Sequence, residues 1–176
     1  VVGWSFKDLA PVHLPFMNNE PKTAAVVDPP NNQETSTLDE TVIGPEDIAA
    51  HSMGNDEPKI LRIPKLGVEA RIRRVGVSLS GEPVAPSNIF DVGWFEASGK
   101  PGQPGAVLLN GNVVGPTRAG VFATVHELVS GDQIVLERGD GTLLTYKVTK
   151  TQEYNQLDMS AATNPIDLSK QGLNLM

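Results

Sequence analysis

The chain has 176 residues, 39% hydrophobic and only 5% aromatic, with 17 glycines and 14 prolines. That is enough for one core, and it favours turns and short strands over long helices. There is no cysteine, so these residues form no disulfide, no thiolate metal site and no cysteine nucleophile.

The net charge of −7 is unevenly spread. Residues 18–57 hold nine acidic side chains and one basic one; residues 58–176 hold twelve Lys/Arg and eleven Asp/Glu. That nearly neutral remainder lacks the basic stripe that nucleic-acid binding requires.

The opening "VVGWSFKD" is apolar, with Trp4 followed by Lys7. It is too short to cross a bilayer, which takes about 20 residues. Residues 1–17 read either as the interfacial end of a membrane anchor that begins earlier or as an ordinary tail. Residues 18–57 read as an acidic flexible linker. They are rich in Pro, Asn, Thr and acid, and their few apolar groups cannot offset the entropy of ordering. One short helix can start at Pro45, because proline suits a first helical position.

The texture changes near Lys59. "KILRIP" is a short apolar run ended by Pro64. In "GVEARIRRVGV", Val68, Ala70 and Ile72 alternate with Glu69, Arg71 and Arg73, the period of a half-buried strand. The cluster Arg71, Arg73, Arg74 reads as a solvated strand face. "GKPGQPG" contains two prolines and precedes a strand, so it is a shaped loop and not a phosphate cradle. "GAVLLNG" suits a strand covered on both faces. "GVFATVHEL" suits one or two helical turns. "DQIVLER" and "TLLTYKVTKTQEY" flank Gly139-Asp140-Gly141, a strong hairpin signal. The polar stretch Asn155–Lys170 follows, and "GLNLM" reads as a final strand. The pattern predicts a mainly β fold, a closed or nearly closed barrel with one or two short helices.

The candidate side chains are few. His13 and His51 fall in or beside the linker and read as solvated; His126 reads as a surface residue. No two histidines have metal-pair spacing, so no metal site is predicted. Arg138-Gly139-Asp140 spells an adhesion tripeptide, but the hairpin accounts for it.

The segments "ILRIPKLGVEARI", "DVGWFEASGKPGQPGAVLLNG", "GVFATVHELVSGDQIVLERGDG" and "GLNLM", in this order, resemble the sortases, cell-surface cysteine transpeptidases of bacteria, and most closely the class E/F type. The resemblance covers residues 58–176. It implies a sortase-like β-barrel whose final strand is missing from this chain, since Met176 falls just before that strand. It also implies an N-terminal membrane helix, missing here, that tethers the domain on the extracytoplasmic face of the membrane. The partners it implies are a sorting-motif peptide similar to Leu-Pro-x-Thr-Gly and an amine acceptor, with no cofactor.

The family's chemistry uses a cysteine thiolate, a histidine that exchanges protons and an arginine that steadies the oxyanion. Asn112 stands where the resemblance puts the histidine, and the cysteine and arginine would lie beyond Met176. Substrate contacts carried over with the resemblance are Asn110, and Asn155, Leu157, Ile166 and Leu168 in the loop that roofs the groove. Asparagine offers one acceptor and two N–H donors but does not titrate, so Asn112 cannot hand a proton to a leaving amine. It can equally be a turn residue, since asparagine tolerates left-handed backbone after Gly111. Two readings of function remain open. One is a transpeptidase or endopeptidase, inactive as given. The other is a non-catalytic sortase-fold module that binds peptide or serves assembly.

Overall fold

A computed structural model describes residues 38–77, 84–152 and 172–176. One helix, α1 (Pro45–Ala50), precedes seven strands: β1 (Pro58–Ile63), β2 (Val68–Val75), β3 (Val92–Phe95), β4 (Ala106–Gly111), β5 (Gln133–Arg138), β6 (Leu143–Lys147) and β7 (Gly172–Leu175). They form one barrel-like sheet in the order β6-β5-β1-β2-β3-β4-β7. The pairs β2–β3 and β4–β7 are parallel, and the others are antiparallel. The mainly β expectation holds; the predicted strands form, although the one read from Thr142 to Tyr154 ends at Lys147.

Local sequence accounts for most of this. In β2 the alternation works as read: Ala70 and Ile72 are buried, while Glu69 and Arg73 are exposed. In β4, Ala106, Val107, Leu108 and Leu109 are all buried, so both faces of that strand are covered. The β5–β6 hairpin closes at Gly141, whose φ of +83° is strained for any side chain. Asp140 Oδ1 accepts the Thr142 N–H at 3.0 Å and fixes the same turn. Helix α1 starts with Pro45 at its first position, and Asp47 Oδ2 accepts the Gly44 N–H at 2.8 Å. The stretch read as helical from Gly120 yields only a short 3-10 turn, Val125–Glu127.

The core is built from the inward sides of most strands. Leu61, Ile63, Ile72, Val92, Trp94, Val107, Leu109, Ile134 and Leu136 meet Val121, Phe122 and Leu128 there. Trp94 is buried but keeps its indole partner, donating Nε1–H to Gly99 O at 3.2 Å. Leu173 and Leu175 of β7 pack partly buried against this cluster.

The acidic stretch read as linker makes many contacts from Asp39 on. Lys100 Nζ donates to Asp56 Oδ2 at 2.8 Å, and the Arg74 guanidinium grips Glu57. The Asp140 and Gly139 N–H groups donate to Asn55 O and Glu57 O at 3.1 and 3.0 Å. Few apolar residues lie in this segment, so its attachment is polar. Asp39, Glu40, Asp47, Asp56 and Glu57 each accept from an N–H donor. No helix among the described residues is long and apolar enough to cross a membrane.

Two sequence readings are corrected here. His51 is not a free solvated side chain: its Nε2 lies 2.7 Å from Ile72 O, and burial holds its pKa below the usual value. Arg71 is not part of a solvated face. It forks onto the buried Asp91 with bonds of 2.9 and 3.0 Å. In both cases the partner is distant in sequence, out of reach of a local pattern.

Candidate functional site at the tips of strands β4 and β7

β4 and β7 run in parallel, with Ala106 opposite Gly172 and Leu109 opposite Leu175. Their ends meet. Met176 N–H donates to Leu109 O at 2.8 Å, and Gly111 N–H donates to Met176 O at 3.0 Å. Asn112 is the next residue along β4. The stretches around Gly111 and Met176, far apart in the chain, therefore meet at one end of the sheet.

The side chain of Asn112 is engaged. Its Nδ2–H donates to Pro86 O at 3.0 Å. Two residues earlier, on the same side of the strand, Asn110 Nδ2–H donates to Val84 O at 3.1 Å. The two amides thus hold alternate carbonyls of the extended strap 84–86. Asn110 Oδ1 is buried and has no partner among the described residues. It fits only because Gly93 lies beneath it: a Cβ on Gly93 would sit 2.1 Å from that oxygen.

A small hairpin follows Asn112. Phe122 N–H donates to Asn112 O at 2.9 Å, Gly120 N–H to Val113 O at 3.0 Å, and Val114 pairs with Ala119. Val113 and Val114 stand exposed on it. The strap and the base of this hairpin touch directly, because Val121 N–H donates to Ile89 O at 2.8 Å.

A second feature lies nearby. A cleft of about 650 Å³ opens between β2, residues 84–88 and residues 39–47, rimmed by Val42, Val77 and Val84. Its charged floor is self-paired. Asp91, with its side chain 3% exposed, takes both arms of Arg71, and Arg73 Nε approaches it at 3.5 Å. A satisfied buried ion pair gives an anionic ligand little to bind.

The structure brings Asn110 and Asn112 together, each bonded to the strap. Asn155, Leu157, Ile166 and Leu168 lie outside the described residues. His126 is exposed on its 3-10 turn, as read from sequence. The adhesion tripeptide is closed on itself by an Arg138–Asp140 ion pair at 3.0 Å. Sequence reasoning missed the strap's bonds to β4, the Arg71–Asp91 pair and the grip of residues 39–41 on this region. One available signal was Asp91, a carboxylate placed directly before a buried strand.

The sortase domain family matches residues 61–175. The chain belongs to the sortase family. Its fold is similar to sortase C1 from Streptococcus agalactiae, at 20% identity and a TM-score of 0.48 over 66% of this chain and 57% of that one. It is similar to sortase E from Streptomyces avermitilis, at 24% identity and 0.42, covering 58% and 62%. It is also similar to the SrtA sortase from Actinomyces oris, at 19% identity and 0.48, covering 77% and 74%. The chain thus spans less than two thirds of the length of the first two. No curated protein sequence matches it. The family assignment rests on the domain match.

Proposed function

We propose that this sortase-family chain holds an extended sorting-motif peptide, similar to Leu-Pro-x-Thr-Gly, at the shared tip of β4 and β7, and that these residues by themselves do not cut it. We further read it as closest to the class E/F type and as working on the extracytoplasmic face of a bacterial membrane. The observation that carries the reading is the meeting of Gly111 and Met176 beside Asn112.

Peptide cleavage needs an activated nucleophile and a proton for the departing amine. No cysteine exists in the chain to supply a thiolate. Asn112 fills the position the resemblance gives to histidine, and general acid–base help of roughly 10²–10⁴-fold is closed to an amide that does not titrate. One of its donors is already committed to Pro86 O. Its Oδ1 and its second N–H keep the capacity to pair with a peptide group. Binding without turnover is the chemistry that remains.

The test is a titration with a Leu-Pro-x-Thr-Gly peptide, followed by mass analysis of the mixture with an amine acceptor. The parent should bind the peptide and return it intact. Asn112→His adds a proton carrier but no nucleophile, so it should also leave the peptide whole. Cleavage by the parent, or no uptake of peptide, overturns the proposal.

A further inference from the structure

Two loops flank Asn112, the strap 84–89 and the hairpin 113–120. Neither is held by apolar burial alone, since Val84, Val113 and Val114 are exposed. Both are held by three consecutive residues from the opposite end of the described chain.

Asp39 takes the strap. Its N–H donates to Ser87 O at 2.8 Å, and its O accepts the Ile89 N–H at 2.9 Å, a one-residue parallel bridge. Asn88 Nδ2 donates to Asp39 Oδ2 at 3.1 Å and to Thr41 O at 2.9 Å. Glu40 takes the hairpin. Its Oε1 accepts the Thr117 N–H at 2.8 Å and the Arg118 N–H at 3.1 Å, while its Oε2 accepts the Thr117 hydroxyl. One carboxylate thus ties down the whole tip, and bonds to a charged acceptor are the stronger kind.

The bonds close a ring. Asn112 reaches the strap through Pro86, the strap reaches Asp39, Glu40 reaches the hairpin tip, and the hairpin returns to Asn112 through Phe122. A ring of this kind fixes the spacing of the exposed ends of the two loops, beyond what buried Ile89 and its bond from Val121 already hold. Loops held in a bound geometry spare a ligand the ordering entropy.

We propose that residues 39–41 form a clasp that presets the spacing of the two loops flanking Asn112, with Glu40 as a positioning residue for the peptide site. Glu40 touches neither Asn112 nor the strand tips; it acts through the hairpin. The inference rests on the peptide-holding reading above and adds the control of that same site from the N-terminal side.

The experiment compares the parent, Glu40→Ala, Glu40→Gln and a control, Asp56→Asn, whose carboxylate binds Lys100 elsewhere on the same segment. Each is titrated with the Leu-Pro-x-Thr-Gly peptide, and backbone hydrogen exchange is followed at Gly120 and Phe122. Glu40→Ala should weaken peptide binding about fivefold or more, the lower end of ordinary coupling between sites. It should also speed exchange at Gly120 and Phe122 while leaving the β1–β5 amides unchanged. Glu40→Gln keeps the shape and one acceptor oxygen and should return most of the lost affinity. Asp56→Asn should match the parent. Parent-like binding by Glu40→Ala overturns the clasp and leaves the peptide reading standing. A parent that takes up no peptide removes the reading, and the clasp's purpose with it.

Discussion

The two halves of the sheet share one core but wear different outer faces. Across β5, β1 and β2 the outside is an ionic lattice. Arg62 lies between Glu69 at 2.7 Å and Glu137 at 2.8 Å, and Lys59 adds a longer contact to Glu137 at 3.5 Å. Across β3, β4 and β7 the outward positions include Gly93, Leu108, Asn110 and Asn174, because their neighbours Val92, Trp94, Val107, Leu109, Leu173 and Leu175 turn to the core. None of those four is charged. Covering a lattice of ions with a ligand costs desolvation that partners rarely repay. The neutral face is the one that is covered, and from within the chain: Leu108 is buried and the Asn110 amide is bound to Val84 O.

The most severe way to break the contrast is to show that the halves are separate units. Trp94 and Leu136 lie in the two halves and are both buried in the one cluster. Trp94→Ala should cost about 3–5 kcal/mol and Leu136→Ala about 2–5 kcal/mol. Each should shift a single urea transition seen equally by far-UV dichroism and by exchange in either half. A variant that melts one half alone ends the one-core picture.

A smaller effect tests the neutral face itself. Gly93→Ala drives a methyl into the Asn110 amide, whose oxygen would lie 2.1 Å away. The overpacking cost should be roughly 1–3 kcal/mol by urea unfolding. Asn110→Ala removes an orphaned oxygen along with one hydrogen bond, so alone it should be close to neutral. The double variant should recover most of the Gly93→Ala loss. Simple addition of the two single effects would show that the side chain does not rest on Gly93.

The two halves were not equally legible in the sequence. The β1–β2 and β5–β6 pairs announce themselves through alternation, Pro64 and the Gly139-Asp140-Gly141 turn. Those signals act between residues close along the chain. The run Ala106–Leu109 likewise predicted a strand covered twice. The junctions β2–β3 and β4–β7 are parallel, and no short turn encodes a parallel pair. "GLNLM" could be read as a strand, yet only the ordered likeness to sortases set it beside "AVLLNG". The setting of Asn112 was half visible. Its inability to carry a proton follows from the side chain alone, whereas its bond to Pro86 O depends on a strap 26 residues away. Asp39 and Glu40 were hidden by composition. An acidic, proline-rich stretch reads as linker because it has little to bury, but it can still be held by N–H donors that a carboxylate count does not show.

The gentlest probe is acid, and it separates the polar attachment of residues 39–57 from the lattice on the other half. His51 is the first group to respond. Burial lowers its pKa, the bond to Ile72 O opposes that, Arg73 and Arg71 lower it further, and Asp91 raises it. The folded state therefore favours neutral His51. The unfolded chain binds this proton first, so stability from His51 is present above the usual histidine pKa of about 6.5 and is lost as pH falls through the lowered folded value. The carboxylates follow at lower pH. Hydrogen bonds from Thr41 to Asp39, Thr117 to Glu40, Lys100 to Asp56 and Arg74 to Glu57 hold all four below the ordinary range. Their contribution is present above that range and disappears as pH falls through the lowered values. Glu137 in the lattice is raised by burial but lowered more by Arg62 and Lys59, so it too gives way only in the carboxylate region. Hydrogen exchange corrected for intrinsic rate should thus quicken at Ile48 and His51 as pH drops from 7 toward 5, with the β1–β5 ladder unchanged until lower pH. His51→Gln should flatten the first stage and leave the second. Equal quickening in the ladder, or a first stage that survives His51→Gln, would show that the segment and the lattice respond to acid as one.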